Sequence, residues 1–153
     1  MRMLTLTIQP NQLFMDTSYF SEINWLAVLV AAIAYFALGA IWFSKPVFGG
    51  KWVALHNINM DDSSKKGLGA IMFGSFLLML LATVGLAILA ARFHFYEVIS
   101  GIKLGLFTGI CFASTAISIT FLYIKKPLAI HFIDNLYHVV GQVIAAVILC
   151  VWR

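Results

Sequence analysis

Four long apolar stretches, separated by short polar connections, dominate the chain. Their approximate bounds are residues 24–43, 68–91, 98–124 and 128–152. Each stretch reaches the roughly 20 residues that a helix needs to cross the hydrocarbon core of a bilayer. Backbone amides cannot stay unpaired in hydrocarbon, and the alternating pattern of a membrane β-barrel is absent from the sequence. The pattern predicts an all-α integral membrane protein, an antiparallel bundle of four transmembrane helices.

The segment before the first stretch differs from the rest. We expect residues 1–22 to form an arm that is loosely ordered or lies at the membrane interface, and residues 23–153 to form one transmembrane domain. The opening run MRMLTLTIQPNQLF is a poor signal peptide, because Pro10 and neighbouring polar residues interrupt its apolar part. Met15 is an alternative start, since the first span follows it directly.

Composition supports a membrane protein. Apolar residues make up 62% of the chain, charged residues make up 10%, and the mean hydropathy is +0.97. A soluble domain has about half apolar and roughly a quarter charged residues. The net charge of +4 does not indicate nucleic-acid binding, because the lysines cluster in the connections. Membrane topology and anionic lipid headgroups explain that clustering.

The distribution of basic residues predicts an orientation. The first and third connections share one side of a four-span protein, and they hold most of the basic residues. These are Lys45, Lys51, Lys65, Lys66, Lys125 and Lys126, against Arg2, Arg92, Lys103 and Arg153 elsewhere. The positive-inside rule then places both termini outside the cytoplasm.

Signatures of enzymes and cofactors are missing. The sequence has no Walker A motif, no G-x-S-x-G and no H-E-x-x-H. Cys111 and Cys150 both lie in apolar stretches, which is typical of small buried hydrophobic residues rather than of a disulfide or metal site. The sequence favours neither an enzyme nor a bound cofactor.

Small residues recur every four positions along the third stretch. They are Gly101, Gly105, Gly109 and Ala113. This spacing places them on one helical face, where they form a smooth groove. Close backbone approach drives helix association in lipid, so we expect the groove to receive either another span of the same chain or a second copy in a homo-oligomer.

The fourth stretch carries a polar stripe. Its members, spaced by three and four, are His131, Asp134, Asn135, His138 and Gln142. Most of the other positions, Ile133 among them, are apolar and suited to face lipid. His131 lies about 5 Å inside the helix start and Gln142 about 21 Å. We therefore expect His131 and Asp134 to reach headgroups or water, and His138 and Gln142 to lie near mid-membrane.

Three interpretations of the stripe stay open. The favoured function is the handling of protons or a small solute along this face, since intramembrane ionisable groups often serve such paths. The stripe alternatively only packs helices, as in a structural or accessory protein, with partners such as Ser114, Thr115, Ser118, Thr120 or Tyr35. A third interpretation is a metal site on His131, Asp134 and His138, or haem bound by His138.

The first connection, residues 45–66, is the longest. Gly49 and Gly50 are expected to allow a sharp turn. The segment KWVALH predicts a short helix on the membrane surface, with Trp52 and Leu55 dipping into it and His56 solvated. We expect this connection to be a docking surface if the chain has a protein partner besides lipid.

Two clusters of residues resemble a known family. The first runs through the first span and connection as Asn24, Gly39, Trp42-Phe43-Ser44, Phe48-Gly49 and Trp52; the second, in the fourth span, is Asp134 and Tyr137-His138, followed by Trp152. Together they are similar to an uncharacterised, mostly bacterial family of small membrane proteins, a domain of unknown function. The resemblance implies a multipass protein of the bacterial inner membrane and supplies no reaction or ligand.

Overall fold

The computed structural model describes residues 19–58 and 67–152, and all regular elements in these ranges are helices. A short helix, Tyr19–Glu22, comes first, and the four long helices are Trp25–Trp42, Leu68–Arg92, Val98–Tyr123 and Leu128–Val151, called the first to fourth spans below. Each span is long and apolar enough to cross a bilayer. The predicted all-helical fold, with four helices able to span a membrane, is thus confirmed. Most of the predicted arm, residues 1–18, lies outside the described residues.

Within residues 19–58 and 67–152, two segments are π-helical rather than α-helical. In the third span, the α-helices Val98–Thr108 and Thr115–Tyr123 flank the π-helical segment Gly109–Ser114. The segment Lys45–Gly49 follows the first span and leads into the helix Gly50–His56, which we call the connection helix. Such insertions are rare and often lie near functional sites.

The first span begins at a side-chain cap. Asn24 has an extended backbone, and its side-chain oxygen accepts hydrogen bonds from the amides of Leu26 and Ala27, at 3.0 and 3.1 Å. These amides have no partner within the helix, so the cap satisfies hydrogen-bond donors that the first turn leaves open. Asn24, one of the residues that carry the family resemblance, therefore fixes where the first span starts.

The prediction of a sharp turn at Gly49 and Gly50 is wrong. Both residues have right-handed helical backbone angles, and they join the π-helical segment to the connection helix. Gly49 is needed for close packing, because a Cβ atom at this position would overlap the carbonyl group of Phe43. Gly50 has open space at the same position.

The glycine face of the third span packs directly on the fourth span. A Cβ atom on Gly101 would lie 2.7 Å from the Cα of Val147, and one on Gly109 would lie 2.8 Å from the Cα of Val139. Gly105 is closer still to Val143. The groove is therefore filled by another span of the same chain, and its contacts advance in opposite directions along the two helices.

The first span meets another face of the fourth. Gly141 leaves room for the ring of Tyr35, and Gly39 leaves room for the ring of Tyr137. The second span packs against the first and fourth spans but makes far fewer contacts with the third. This separation between the second and third spans leaves space along the fourth.

Candidate functional site

Two tryptophans from other segments donate hydrogen bonds to the fourth span, one to the polar stripe and one beside it. The indole nitrogen of Trp42 donates a hydrogen bond to the carbonyl oxygen of Ile133, at 3.1 Å. The indole nitrogen of Trp52 donates to Oδ1 of Asp134, at 2.9 Å. The first span and the connection helix are thus joined to neighbouring residues of the fourth span.

We expected Trp52 to dip into lipid, but its ring packs against the protein instead. Besides its hydrogen bond to Asp134, its ring lies 4.3 Å from the ring of His56 and 5.5 Å from that of Phe43. His56 is half-buried rather than fully solvated, and its Nδ1 is hydrogen bonded to the carbonyl oxygen of Trp52, at 3.0 Å. The connection helix therefore covers the end of the polar stripe.

Tyr137 packs within an aromatic cluster at this junction. Its ring lies 5.2 Å from Phe43, 6.4 Å from Trp42 and 4.8 Å from His138. Its hydroxyl donates to the sulfur of Met79 on the second span, at 3.5 Å. Phe48 adds a further ring, 5.0 Å from Trp42.

Most of the residues that carry the family resemblance therefore meet in space, although about 80 residues separate the two clusters in the sequence. Ser44 contributes locally, since its hydroxyl donates to the carbonyl oxygen of Ile41, at 2.6 Å. Asn24 and Trp152 lie apart from this junction, at the start of the first span and the end of the fourth, where they line a common cavity.

His138 forms the shortest polar contact in the middle of the bundle. Its Nδ1 shares a hydrogen bond of 2.6 Å with the hydroxyl of Tyr35, whose side chain is 2% exposed. The side chain of Gln142 adjoins the same hydroxyl and is itself buried. Three side chains that donate or accept hydrogen bonds thus lie together where the sequence places mid-membrane, and two of them, Tyr35 and His138, are titratable.

Asn135 joins the fourth span to the third. Its amide nitrogen donates to the hydroxyl of Ser118, at 2.7 Å. Two other expected partners, Thr115 and Thr120, instead donate to carbonyl oxygens of their own helix. Ser118 and Tyr35 are therefore the expected partners that bond to the stripe.

His131 differs from the expectation that it reaches headgroups or water. It is only 8% exposed, because it packs against Phe121, whose ring lies 5.3 Å away. Its Nε2 and the Oδ1 of Asn135 are buried without a protein hydrogen-bond partner among the described residues. Ile133, expected to face lipid, is also buried. The buried face is thus wider than the polar stripe.

The stripe does not assemble a metal site. Among residues 19–58 and 67–152, no three His, Cys, Asp or Glu side chains lie together so that they could hold a metal ion. His131, Asp134 and His138 each engage different neighbours, namely Phe121, Trp52 and Tyr35. The geometry therefore gives no support to the metal interpretation.

Three cavities lie end to end along the stripe, and we call them together the polar groove. The first, about 330 Å³, borders Asp134 and His138; the second, about 430 Å³, borders His138 and Gln142; the third, about 410 Å³, borders Gln142 and Thr108. His138 separates the first two cavities, and Gln142 separates the last two. Sequence reasoning missed the wall formed by the second span, because no polar stripe marks that helix.

Comparison with known proteins identifies the family. The family model described as "Protein of unknown function (DUF1761)" matches residues 26–150, so the chain belongs to this family. No curated protein and no solved structure matches the chain. Membership in this family assigns no reaction to the chain.

Proposed function

We propose that this chain, a member of a membrane protein family without an assigned activity, handles a small solute along the polar groove. The observation that carries the proposal is the succession of three cavities along the polar face of the fourth span, since His138 lines the first two and Gln142 lines the last two. They extend from Phe121, close to the end of the third span, to Leu89, close to the end of the second. A path of this length covers most of a membrane-spanning helix.

Protons are the solute that the groove's own side chains suit best. Asp134, His138 and Tyr35 each gain or lose a proton, and all three border the groove. His138 and Tyr35 already share a short hydrogen bond. Carboxylates and histidines inside membranes often form proton relays, and water in the cavities would connect groups that do not touch.

Proton flux into liposomes tests this function. Purified full-length protein is reconstituted into liposomes that contain a pH-sensitive dye, and a pH step is imposed with valinomycin and K⁺ present. We expect wild type to collapse the gradient faster than empty liposomes, and His138→Ala to be as slow as empty liposomes. His94→Ala is the matched control, because His94 is an exposed histidine of the connection between the second and third spans. Wild-type flux equal to that of empty liposomes would remove the proton proposal.

A second candidate function is that of a structural or accessory membrane protein. The specific observation in its favour is that Asp134, Asn135 and His138 each bond to a side chain of another segment. In such a protein the groove would hold only water or lipid. His138→Ala would then lower thermal stability in detergent, and no variant would change flux.

The connection helix has an exposed side that a partner of an accessory protein could contact. Residues 50–56 pack on the fourth span through Trp52, which leaves Lys51 and Ala54 exposed. Residues 59–66 lie outside the described residues. We propose that a protein partner, if the chain has one, contacts this exposed side of the connection helix, and Lys51→Glu would weaken co-purification with it.

A further inference from the structure

We propose that the middle cavity of the polar groove binds a neutral, membrane-soluble molecule with one compact hydrogen-bonding group, an alcohol or a quinone carbonyl. This inference deepens the proposed function, since it uses the same groove and names a class of ligand for it. It is carried by the polarity of the cavity floor, the apolar walls and the direction in which the cavity opens.

The floor of the middle cavity is polar and the walls are apolar. Tyr35, His138 and Gln142 form the floor, and Ser75 adds a hydroxyl from the second span. The remaining lining residues are Leu78, Met79, Ala82, Ala113, Ala116 and Ile117. The volume of about 430 Å³ falls within the range of ordinary small-molecule sites. An apolar cavity with a few convergent polar groups is the usual form of such a site.

The cavity opens between the second and third spans. Leu78 on one side is 70% exposed, and Ala82 and Ala116 are also exposed. These residues lie within the spans, so their exposed surfaces face the hydrocarbon of the bilayer. A ligand would therefore enter sideways from the membrane rather than from water.

The cavity floor lies near mid-membrane, and this depth favours a ligand with a neutral head group. Among the described residues that line the cavity, none is Lys, Arg, Asp or Glu. An ionic head group near mid-membrane would lose its hydration and find no opposite charge. A phospholipid is unsuitable for the same reason, since its head group belongs at the interface. An alcohol or a carbonyl, in contrast, can bond to the imidazole, hydroxyl and amide groups of the floor.

The π-helical segment of the third span forms part of the cavity wall. Ala113, within Gly109–Ser114, lines the cavity, and Thr115 follows immediately. The Thr115 hydroxyl donates to the carbonyl oxygens of Cys111 and Phe112, at 2.7 and 3.0 Å. Carbonyl groups at the irregular turn are thereby satisfied without closing the space beside it. A π-helical insertion next to a cavity is a common arrangement at binding sites.

Thermal melting with defined probes tests the inference. Full-length protein in phosphatidylcholine nanodiscs is titrated with decylubiquinone, 1-dodecanol or n-dodecane, and Tm is followed by circular dichroism. We expect at least one of the two polar probes to raise Tm by a few degrees, saturating with concentration, and dodecane to have no such effect. A response to only one polar probe tells the carbonyl from the alcohol.

Two variants that fill the mouth of the cavity provide the structural check. Ala116→Phe fills it from the third span and Ala82→Phe from the second, and both should remove the saturable rise in Tm. Ile119→Phe is the matched control, because Ile119 lies on the same helix, is 56% exposed and does not line the cavity. It should respond to the probes as wild type does.

Three results would overturn the inference. They are a wild-type Tm that neither polar probe raises, an equal rise with dodecane, and an equal rise in Ala116→Phe and Ala82→Phe. A wild-type dimer that Ala116→Phe dissociates, with no response to probes, would assign the groove to a second copy of the chain. Proton flux without probe binding would contradict the ligand site and leave the proposed function standing. Probe binding without proton flux would support the ligand site and contradict proton handling.

Discussion

Asp134, Asn135 and His138 of the polar stripe are hydrogen bonded to neighbouring segments, and single residues show how this is achieved. Tyr35 reaches His138 because Gly141 leaves space for its ring, and Trp52 reaches Asp134 because the connection helix folds over the fourth span. Hydrogen bonds between membrane helices contribute modestly, about 0.6 kcal/mol on average and up to about 2 kcal/mol. These hydrogen bonds offset part of the cost of burying the stripe, whereas the Nε2 of His131 and the Oδ1 of Asn135 stay without a protein partner among the described residues.

Tyr35→Phe removes one hydroxyl from the mid-membrane cluster and leaves the ring in place. We expect the free energy of unfolding to fall by about 1 kcal/mol, because Nδ1 of His138 loses its 2.6 Å partner. Thermal melting in detergent measures this. Tyr123→Phe is the control, since Tyr123 is 86% exposed. Equal melting of the two variants would contradict the role given to Tyr35.

Trp52→Phe removes the indole donor to Asp134. The expected loss is also about 1 kcal/mol, since a half-buried carboxyl group loses its hydrogen bond. Trp25→Phe makes the same change at a side chain that is 53% exposed, and should leave the melting temperature unchanged. Limited proteolysis of the connection provides a second measurement, because a released connection helix should be cut faster. A cleavage rate identical to wild type would show that other contacts hold this helix.

At the scale of elements, packing between spans follows the small residues. Gly101, Gly105 and Gly109 allow the third and fourth spans to approach through their backbones, whereas the second and third spans diverge. The third span packs closely on the fourth, and the second span lies away from the third. The polar groove lies in the space that this separation leaves along the fourth span. The same element thus serves as a packing surface and as the floor of a cavity.

Gly105→Ala tests the close packing of the third and fourth spans. The added Cβ atom would overlap the backbone of Val143, so we expect a loss of about 1–3 kcal/mol in the free energy of unfolding. Gly85→Ala is the matched control within the second span, because a Cβ atom there meets nothing within 4 Å. It should be neutral or stabilising by up to about 1 kcal/mol, since alanine favours helix. A Gly105→Ala variant as stable as Gly85→Ala would contradict this packing.

At the scale of the whole molecule, the four spans present a largely apolar surface. Leu78, Leu81, Leu122 and Phe132 are among the most exposed apolar side chains. Such a surface suits contact with lipid tails. Orientation in the membrane and oligomeric state are properties of this surface and of the connections, and both stay predictions.

Fusions to the C-terminus test the predicted orientation. With both termini outside the cytoplasm, alkaline phosphatase fused after Arg153 should be active and green fluorescent protein at the same position should be dark. The reason is the excess of lysines in the first and third connections. The reverse pattern, bright fluorescence with inactive phosphatase, would place the termini inside.

Single-molecule photobleaching in nanodiscs tests the predicted homo-oligomer. The glycine face of the third span is occupied by the fourth span, so it is not free to join two copies. An oligomer would therefore use another surface, and Gly105→Ala should not change the number of bleaching steps per particle. A single step for wild type would identify a monomer.

The sequence by itself determined the four helices and the polar stripe. Hydropathy and length are sufficient for the helices, because an apolar segment of about 20 residues has few alternatives in a membrane. The spacing of His131, Asp134, Asn135, His138 and Gln142 placed these residues along one helix in the same local way. Only the tertiary structure decided which neighbours they meet. Helix packing brings Tyr35 to His138, buries His131 and separates the second span from the third, and these outcomes depend on contacts between segments distant in sequence.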